Sequence, residues 1–262
     1  MVESRLDATA ETAPPGQSEP PDLSAIDVDS LSDDMRFLVR TAKARRYLEW
    51  IHRLMQPYLG ERVLEVGAGI GLLTARLVAN GRVCALEIDS NAEEILIRRF
   101  GAMSNFQLIK SAVEHEEWLD GETTGRFDTV VCVNVLEHIG DDLAALKNMR
   151  KSLRSGGHLF LFVPALMAIY GTLDTAVDHK RRYSLDEVNT KVRAAGFEID
   201  EIRYAKLLGA PAWFWSSRIT RRSMPNAAIL NLLDRFVPIW TWIESKIRVP
   251  FGMTVICVAR KS

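Results

Sequence analysis

The sequence predicts an α/β fold, a doubly wound and mostly parallel sheet covered by helices on both faces. Three observations predict it. From Arg62 onward, short apolar runs alternate with stretches of helical periodicity. Those runs are apolar almost throughout, as strands buried on both faces read. The first of them, Arg62–Val66, passes into helix through Gly67-Ala68-Gly69-Ile70-Gly71, a turn that lets a ligand approach main-chain N–H groups.

Taken in order, residues 1–30 are rich in Pro, Ser, Ala, Asp and Glu, with Pro14-Pro15 and Pro20-Pro21 forbidding a continuous helix. They read as a disordered acidic tail. Residues 31–262 read as one α/β domain, a size within the usual ~100–200 residues per domain plus an appendage. Asp33 to about Leu59 carries helical spacing, with Tyr47 and Trp50 on it. Strands are expected at Arg62–Val66, Val83–Glu87, Phe106–Ile109, Asp128–Val133, His158–Val163, Phe197–Tyr204 and Met253–Arg260. Helical patterns fill the intervals: Leu72–Asn80, Ala92–Phe100, a short piece near Glu114–Leu119, Asp141–Leu153 and Ser184–Ala195. Gly156-Gly157 reads as a turn before the fifth strand.

Residues 205–252 form a long insertion before the last strand. It holds Trp213, Trp215, Trp240 and Trp242 with Phe214, and interleaves Arg218, Arg221, Arg222, Lys246 and Arg248. Ala227–Val237 and Ile239–Ile247 look like short amphipathic helices. Two readings carry equal weight: a helical cap over a substrate pocket, and an interfacial surface that meets a membrane or a lipid-linked substrate.

Composition sets bounds. The net charge of −1 gives no global field for nucleic acid, and no basic face with regular aromatics spans the core. Cys84, Cys132 and Cys257 all fall in expected strands, so they read as buried thiols in a reducing, cytoplasmic compartment, with membrane association left open through residues 205–252. Met1 to Pro21 lacks the apolar run of a leader, and no segment reaches the ~20 apolar residues of a spanning helix.

The motifs point to a nucleoside cofactor. Glu87 ends the second strand about 20 residues after Gly67, where a carboxylate can accept both ribose hydroxyls. The dinucleotide fingerprint GxGxxG wants glycine at position 72, which is leucine. The fourth strand runs into Asn134-Val135-Leu136-Glu137-His138. This set resembles the class I S-adenosylmethionine-dependent methyltransferases, over roughly Tyr47 to the C-terminus. The resemblance implies a Rossmann-like seven-stranded sheet, its last strand antiparallel between its neighbours, with a helical N-terminal lid. It implies S-adenosylmethionine as cofactor, held by Glu65, Gly67, Ala68, Gly69 and Gly71, with Glu87 on the ribose and Ile88 along the adenine. Ser111 stands where the family usually has aspartate for the adenine amino group, with the Ala112 N–H donating to the ring. Asn134 is expected at the methionine end. No metal ligands are implied.

His138 and His179 are the candidate general bases, needed only where the acceptor arrives protonated. The alternative for His138 is a helix-capping or backbone-bonding histidine. Asp174, His179, Arg181, Arg182 and Tyr183 form the pattern LDxxxxHxRRY, which resembles a bacterial subgroup associated with lipid and glycosyl-transfer pathways. Arg181 and Arg182 are candidates to hold a phosphate or carboxylate, with Tyr183 and Tyr47 beside the substrate. An Asp174–Arg182 ion pair that fixes the loop is the structural alternative. The expected activity is methyl transfer, oxygen favoured, to a small-molecule or lipid-linked acceptor. A non-catalytic binding protein on the same fold and a nucleotide-dependent oxidoreductase are the competing readings. The NPPY-like tetrad of adenine and cytosine amino methyltransferases is absent, which disfavours nucleic acid as acceptor.

Overall fold

The computed structural model describes residues 33–222, 224 and 227–262. The tail expected at residues 1–30 lies outside them. In chain order the elements are α1 (Asp33–Thr41), α2 (Arg45–Met55), β1 (Arg62–Val66), α3 (Thr74–Leu77), β2 (Arg82–Glu87), α4 (Ser90–Phe100), β3 (Phe106–Lys110) and β4 (Phe127–Val133). They continue with α5 (Asp142–Ser152), β5 (Leu153–Pro164), α6 (Thr172–Ala176), α7 (Leu185–Ala194), β6 (Glu198–Ala205), α8 (Gly209–Phe214), α9 (Ala227–Lys246) and β7 (Thr254–Arg260).

The seven strands form one sheet in the order β3-β2-β1-β4-β5-β7-β6. The first five are mutually parallel, and β7 runs antiparallel between β5 and β6. The sheet reverses direction of winding at β1 and β4. The loops that leave those two strands therefore diverge and open a crevice at the carboxyl edge, where ligands bind in doubly wound sheets. Apolar clusters cover both faces, one around Leu64, Val130 and Leu161, the other around Val63, Val131 and Phe160. That two-sided burial is why these strands read as continuous apolar runs.

Local chemistry starts the helices. The Asp89 carboxylate accepts from the N–H groups of Asn91 and Ala92 ahead of α4, and Asp141 accepts from Ala144 ahead of α5. Ser184 and Glu187 form a reciprocal capping box at α7.

Four expectations are corrected. Residues near Glu114–Leu119 make turns rather than a helix. The Asn148 side-chain amide donates to the carbonyls of Val113, Glu114 and His115, groups a helix would have used itself. The helix expected over Leu72–Asn80 is regular only at Thr74–Leu77, with turns on both sides. Gly156-Gly157 lie inside β5, where the register against β4 shifts; Gly156 takes a φ of 75° there. Finally, Ala227–Val237 and Ile239–Ile247 belong to one helix with Pro238 inside it. Proline costs a helix interior about 3 kcal/mol. The helix continues across it because Val237 and Trp240, on either side, are anchored in the core.

Candidate active site

The crevice is lined by the glycine loop after β1, the end of β2 and the loop after β4. Gly67, Gly69 and Gly71 all have positive φ, at 67°, 53° and 77°. At Gly67 a Cβ would collide with the Val135 side chain, and at Gly69 it would lie 2.7 Å from Leu38 Cδ1 on α1. Positive φ thus favours glycine at each position, Gly67 also lacks room for a Cβ, and α1 roofs the loop. Glu87, at the end of β2, faces that loop. Its Oε2 accepts from the Gly69 N–H at 2.7 Å, and its Oε1 accepts from Ile88 and Asp89 at 2.8 and 3.0 Å. A carboxylate has about four acceptor sites, so about one remains for a hydroxyl in the crevice.

Glu65, Gly67, Ala68, Gly69, Glu87, Ile88, Ser111, Ala112, Asn134 and His138 line one cavity of about 690 Å³, under a roof of Met35, Leu38 and Tyr47. Gly71 lies off its wall, packed on Phe100. Glu65 is buried and accepts the Thr74 hydroxyl at 2.6 Å. Burial, reinforced by the negative charge of Glu87, pushes its carboxyl up to about 8, against the opposing pull of Thr74 and Arg99. Because the folded-state value lies above the ordinary 4.5, the proton stabilises the fold. That contribution is complete below about pH 4.5 and is lost as the pH rises through about 8. Glu65→Gln should therefore gain thermal stability relative to the parent protein between those limits. A Tm difference that stays constant over this range in scanning calorimetry would refute the assignment.

A second cavity, about 380 Å³ and largely apolar, adjoins the first. The two share Leu38, Thr41, Tyr47, Asn134, His138 and Val177 as walls. Its other sides come from Leu173, Trp213 and Met253, with Leu233, Val237 and Trp240 of α9 closing the top. Asn134 stands between the chambers with a φ of 53°, a left-handed conformation that asparagine tolerates better than most residues. Its N–H is tied to the Phe162 carbonyl at 2.8 Å.

The two histidines are brought together, with ring centroids 4.9 Å apart, edge to face. Burial, then the neighbouring His179, push His138 down to about 4, so its imidazole is neutral at physiological pH. His179 Nδ1 lies 3.0 Å from Asp174 Oδ1, and its Nε2 lies 3.6 Å from Glu137 Oε1. Glu137, His138 and His179 also offer ligand-type atoms within 4.8 Å of one another.

The substrate-binding expectations divide. Tyr47 lines both chambers. Trp50 packs on Phe162 and Trp240, as the structural reading has it. Arg181 and Tyr183 line neither chamber and are corrected. Arg181 donates to Asp142 Oδ2 at 2.9 Å and to the Gly140 carbonyl. Tyr183 is fully buried and its hydroxyl bridges Leu136 O and Asp142 Oδ2. Both pin the segment that carries Glu137 and His138. Arg182 reaches the apolar chamber, but its Nε is paired with Asp174 at 2.7 Å and it lies over the Trp213 ring. The ion-pair alternative is the one realised.

Two residues of the apolar chamber escaped the sequence reading. Lys206, at a φ of 62°, places its ammonium 4.4 Å from the centroid of the Tyr47 ring. Asp234 accepts the Tyr47 N–H at 2.9 Å. An aspartate within the apolar run of α9 was the signal for the second; nothing local marks the first. The three cysteines are buried and free. Burial pushes Cys84 and Cys257 up to about 12, consistent with a structural role.

A family model described as a methyltransferase domain matches residues 39–202, more than half of the chain. The chain belongs to the methyltransferase domain family. Its sheet order, with β7 antiparallel between β5 and β6, is the class I S-adenosylmethionine-dependent arrangement that the resemblance implied. Among curated relatives, the chain is 33% identical over 114 residues to a ubiquinone biosynthesis O-methyltransferase of Xanthomonas axonopodis pv. citri. That match covers 44% of this chain and 47% of the relative, so the chain spans about half the length of the curated proteins it matches. A solved S-adenosylmethionine-dependent methyltransferase from Archaeoglobus fulgidus superposes with a TM-score of 0.57 at 16% identity, covering 86% of this chain and 99% of that one. The cyclase SpnF superposes with a TM-score of 0.53 at 16% identity, covering 82% and 80%. At such identities these likenesses show the fold alone.

Proposed function

We propose that the protein binds S-adenosylmethionine in the polar chamber and transfers its methyl group to an apolar small-molecule or lipid-linked acceptor, oxygen favoured, in the adjoining one. The observation that carries this reading is the shared wall: Tyr47, Asn134 and His138 border both chambers. A donor in one and an acceptor in the other would meet there, between α1 and α9. Residues 205–252 serve in this reading as a cap on a methyltransferase unit that spans residues 31–262.

The cradle fits the cofactor. Gly67, Ala68 and Gly69 give it close backbone approach, and Glu87 offers the ribose its remaining acceptor site. Ser111 and Ala112 sit where the adenine edge would lie. When bound, S-adenosylmethionine supplies a methyl group already activated by its sulfonium. The protein's share is positioning and dryness. His138, neutral at physiological pH, can accept a hydrogen bond from an acceptor hydroxyl, but its low basicity makes it a weak general base. His179 is held between two carboxylates and orients the wall rather than the proton.

O-methylation is supported by the curated relatives, whose names carry it, and by a chamber walled mainly with apolar side chains. One alternative is kept, cofactor binding without methyl turnover, because His138 is only weakly basic. Calorimetric titration with S-adenosylhomocysteine, followed by turnover of methyl-labelled S-adenosylmethionine over phenols and lipid-linked sugars, decides between them. Saturable binding with label transfer supports the proposal. Binding without label transfer to any acceptor leaves the alternative, and no binding by folded protein overturns both.

A further inference from the structure

Ten of the fourteen large apolar side chains that stay exposed among the described residues lie between Leu208 and Phe251, so they form one region rather than a scatter. On α9, Leu232, Phe236, Ile239 and Trp242 follow each other at spacings of four and three residues, an outward stripe on one side of the helix. The opposite side, with Val237 and Trp240, is buried against α2 and the sheet. The helix is therefore apolar around most of its circumference, a pattern that a purely aqueous surface does not need. Phe214, Trp215 and Ile219, at and after the end of α8, extend the exposed region.

The exposed charge within this stretch has one sign. Residues 205–252 hold seven lysines and arginines against two acids, Asp234 and Glu244, in a chain whose net charge is −1. Both acids are turned inward. Asp234 is buried against Tyr47, and Glu244 accepts the N–H groups of Lys206 and Leu207. Arg218, Arg221, Arg222, Arg235, Lys246 and Arg248 are exposed. No described helix is long and apolar enough to cross a membrane, so the surface can lie on a bilayer but not span it.

We infer that this face of α8 and α9 docks on an anionic lipid bilayer, and that the apolar chamber opens there. Leu208, Phe236 and Ile239 belong both to the chamber wall and to the exposed set. The exposed tryptophans Trp215 and Trp242 sit at the depth of the headgroups, the apolar stripe enters the acyl boundary, and the arginines face the lipid phosphates. A lipid-borne acceptor then reaches the chamber without crossing water. The surface stands on its own geometry, and only its purpose rests on the proposed methyl transfer.

The test uses the full chain with extruded phosphatidylcholine vesicles, with and without phosphatidylglycerol, at low and high salt. The protein is expected to sediment with the phosphatidylglycerol vesicles and to lose most of that at high salt. Two variants probe the two contributions, Trp215→Ser with Trp242→Ser, and Arg218→Gln with Arg221→Gln and Arg222→Gln. None of these side chains lines either chamber. Each variant should weaken vesicle binding about tenfold or more while S-adenosylhomocysteine binding is unchanged. No sedimentation by a protein that binds S-adenosylhomocysteine overturns the inference and leaves the proposed function standing. Sedimentation that neither variant weakens also overturns it. So does a dimer in light scattering that the tryptophan variant dissolves, since the face would then belong to a second copy.

Discussion

Asp174→Ala is expected to cost the fold about 3–5 kcal/mol, the scale of breaking a buried ion pair by removing one partner. Asp174 is fully buried and gathers four donors: Arg182 Nε at 2.7 Å, His179 Nδ1 at 3.0 Å, the Gly171 N–H at 3.0 Å and Trp213 Nε1 at 3.4 Å. Burial works to raise its carboxyl, but the His179 hydrogen bond and Arg182 outweigh that and hold it below the usual aspartate range. A lowered value stabilises the fold above the ordinary range, and the contribution is lost as the pH falls through the folded-state value. The alanine takes from Arg182, itself buried, the carboxylate its guanidinium is paired with. Arg182→Met in the same background should restore part of the loss, because an apolar replacement removes the stranded charge. Urea unfolding at neutral pH measures both. A single-variant loss below about 1 kcal/mol would mean that the guanidinium finds another partner, and the hub would be unimportant to stability.

Glu87→Ala should weaken S-adenosylhomocysteine binding by about 1.5–3 kcal/mol, roughly 10- to 100-fold, the range for hydrogen bonds to a charged group. Two effects add. In the proposed site the ribose would lose its acceptor, and the Gly69 N–H loses the carboxylate that holds the loop against β2. Glu87→Gln separates them. It keeps one oxygen for the loop or the sugar but cannot serve both as the carboxylate does, so its affinity should fall between the other two. Calorimetry on all three proteins gives the result. Equal affinity in the parent and the alanine variant would place the ribose elsewhere in the crevice.

The sheet was legible because its strands are buried on both faces, and burial writes itself as apolar runs. The glycine loop was legible because Gly67 and Gly69 need positive φ and Gly67 lacks room for a Cβ. What local pattern could not show was where long side chains would find partners. Arg181 and Arg182 have the chemistry to hold an anion from a substrate, yet Asp142 and Asp174 hold them instead, and both contacts are tertiary. The turns near Glu114 depend on Asn148, far along the chain. The continuity of α9 through Pro238 depends on anchors in α2 and β5 that the helix's own sequence does not contain. Lys206 belongs to the same class: its place beside Tyr47 comes from the end of β6 meeting α2.

The antiparallel strand has a consequence for biosynthesis. β7 pairs with β5 from His158 to Pro164, yet the ribosome makes it only after everything between Pro164 and Thr254. Until Thr254–Arg260 emerges, the nascent chain carries the Leu159–Val163 edge with its ladder unfilled, a ready template for pairing with another chain. Docking of β7 also brings in β6, so the last third of the sheet closes in one late, long-range step. The elements from β1 to β5 can assemble as they are translated, whereas completion waits on the final strand. A nascent chain stalled before Thr254 is thus an aggregation-prone intermediate, and chaperone demand in the cell should concentrate on that interval.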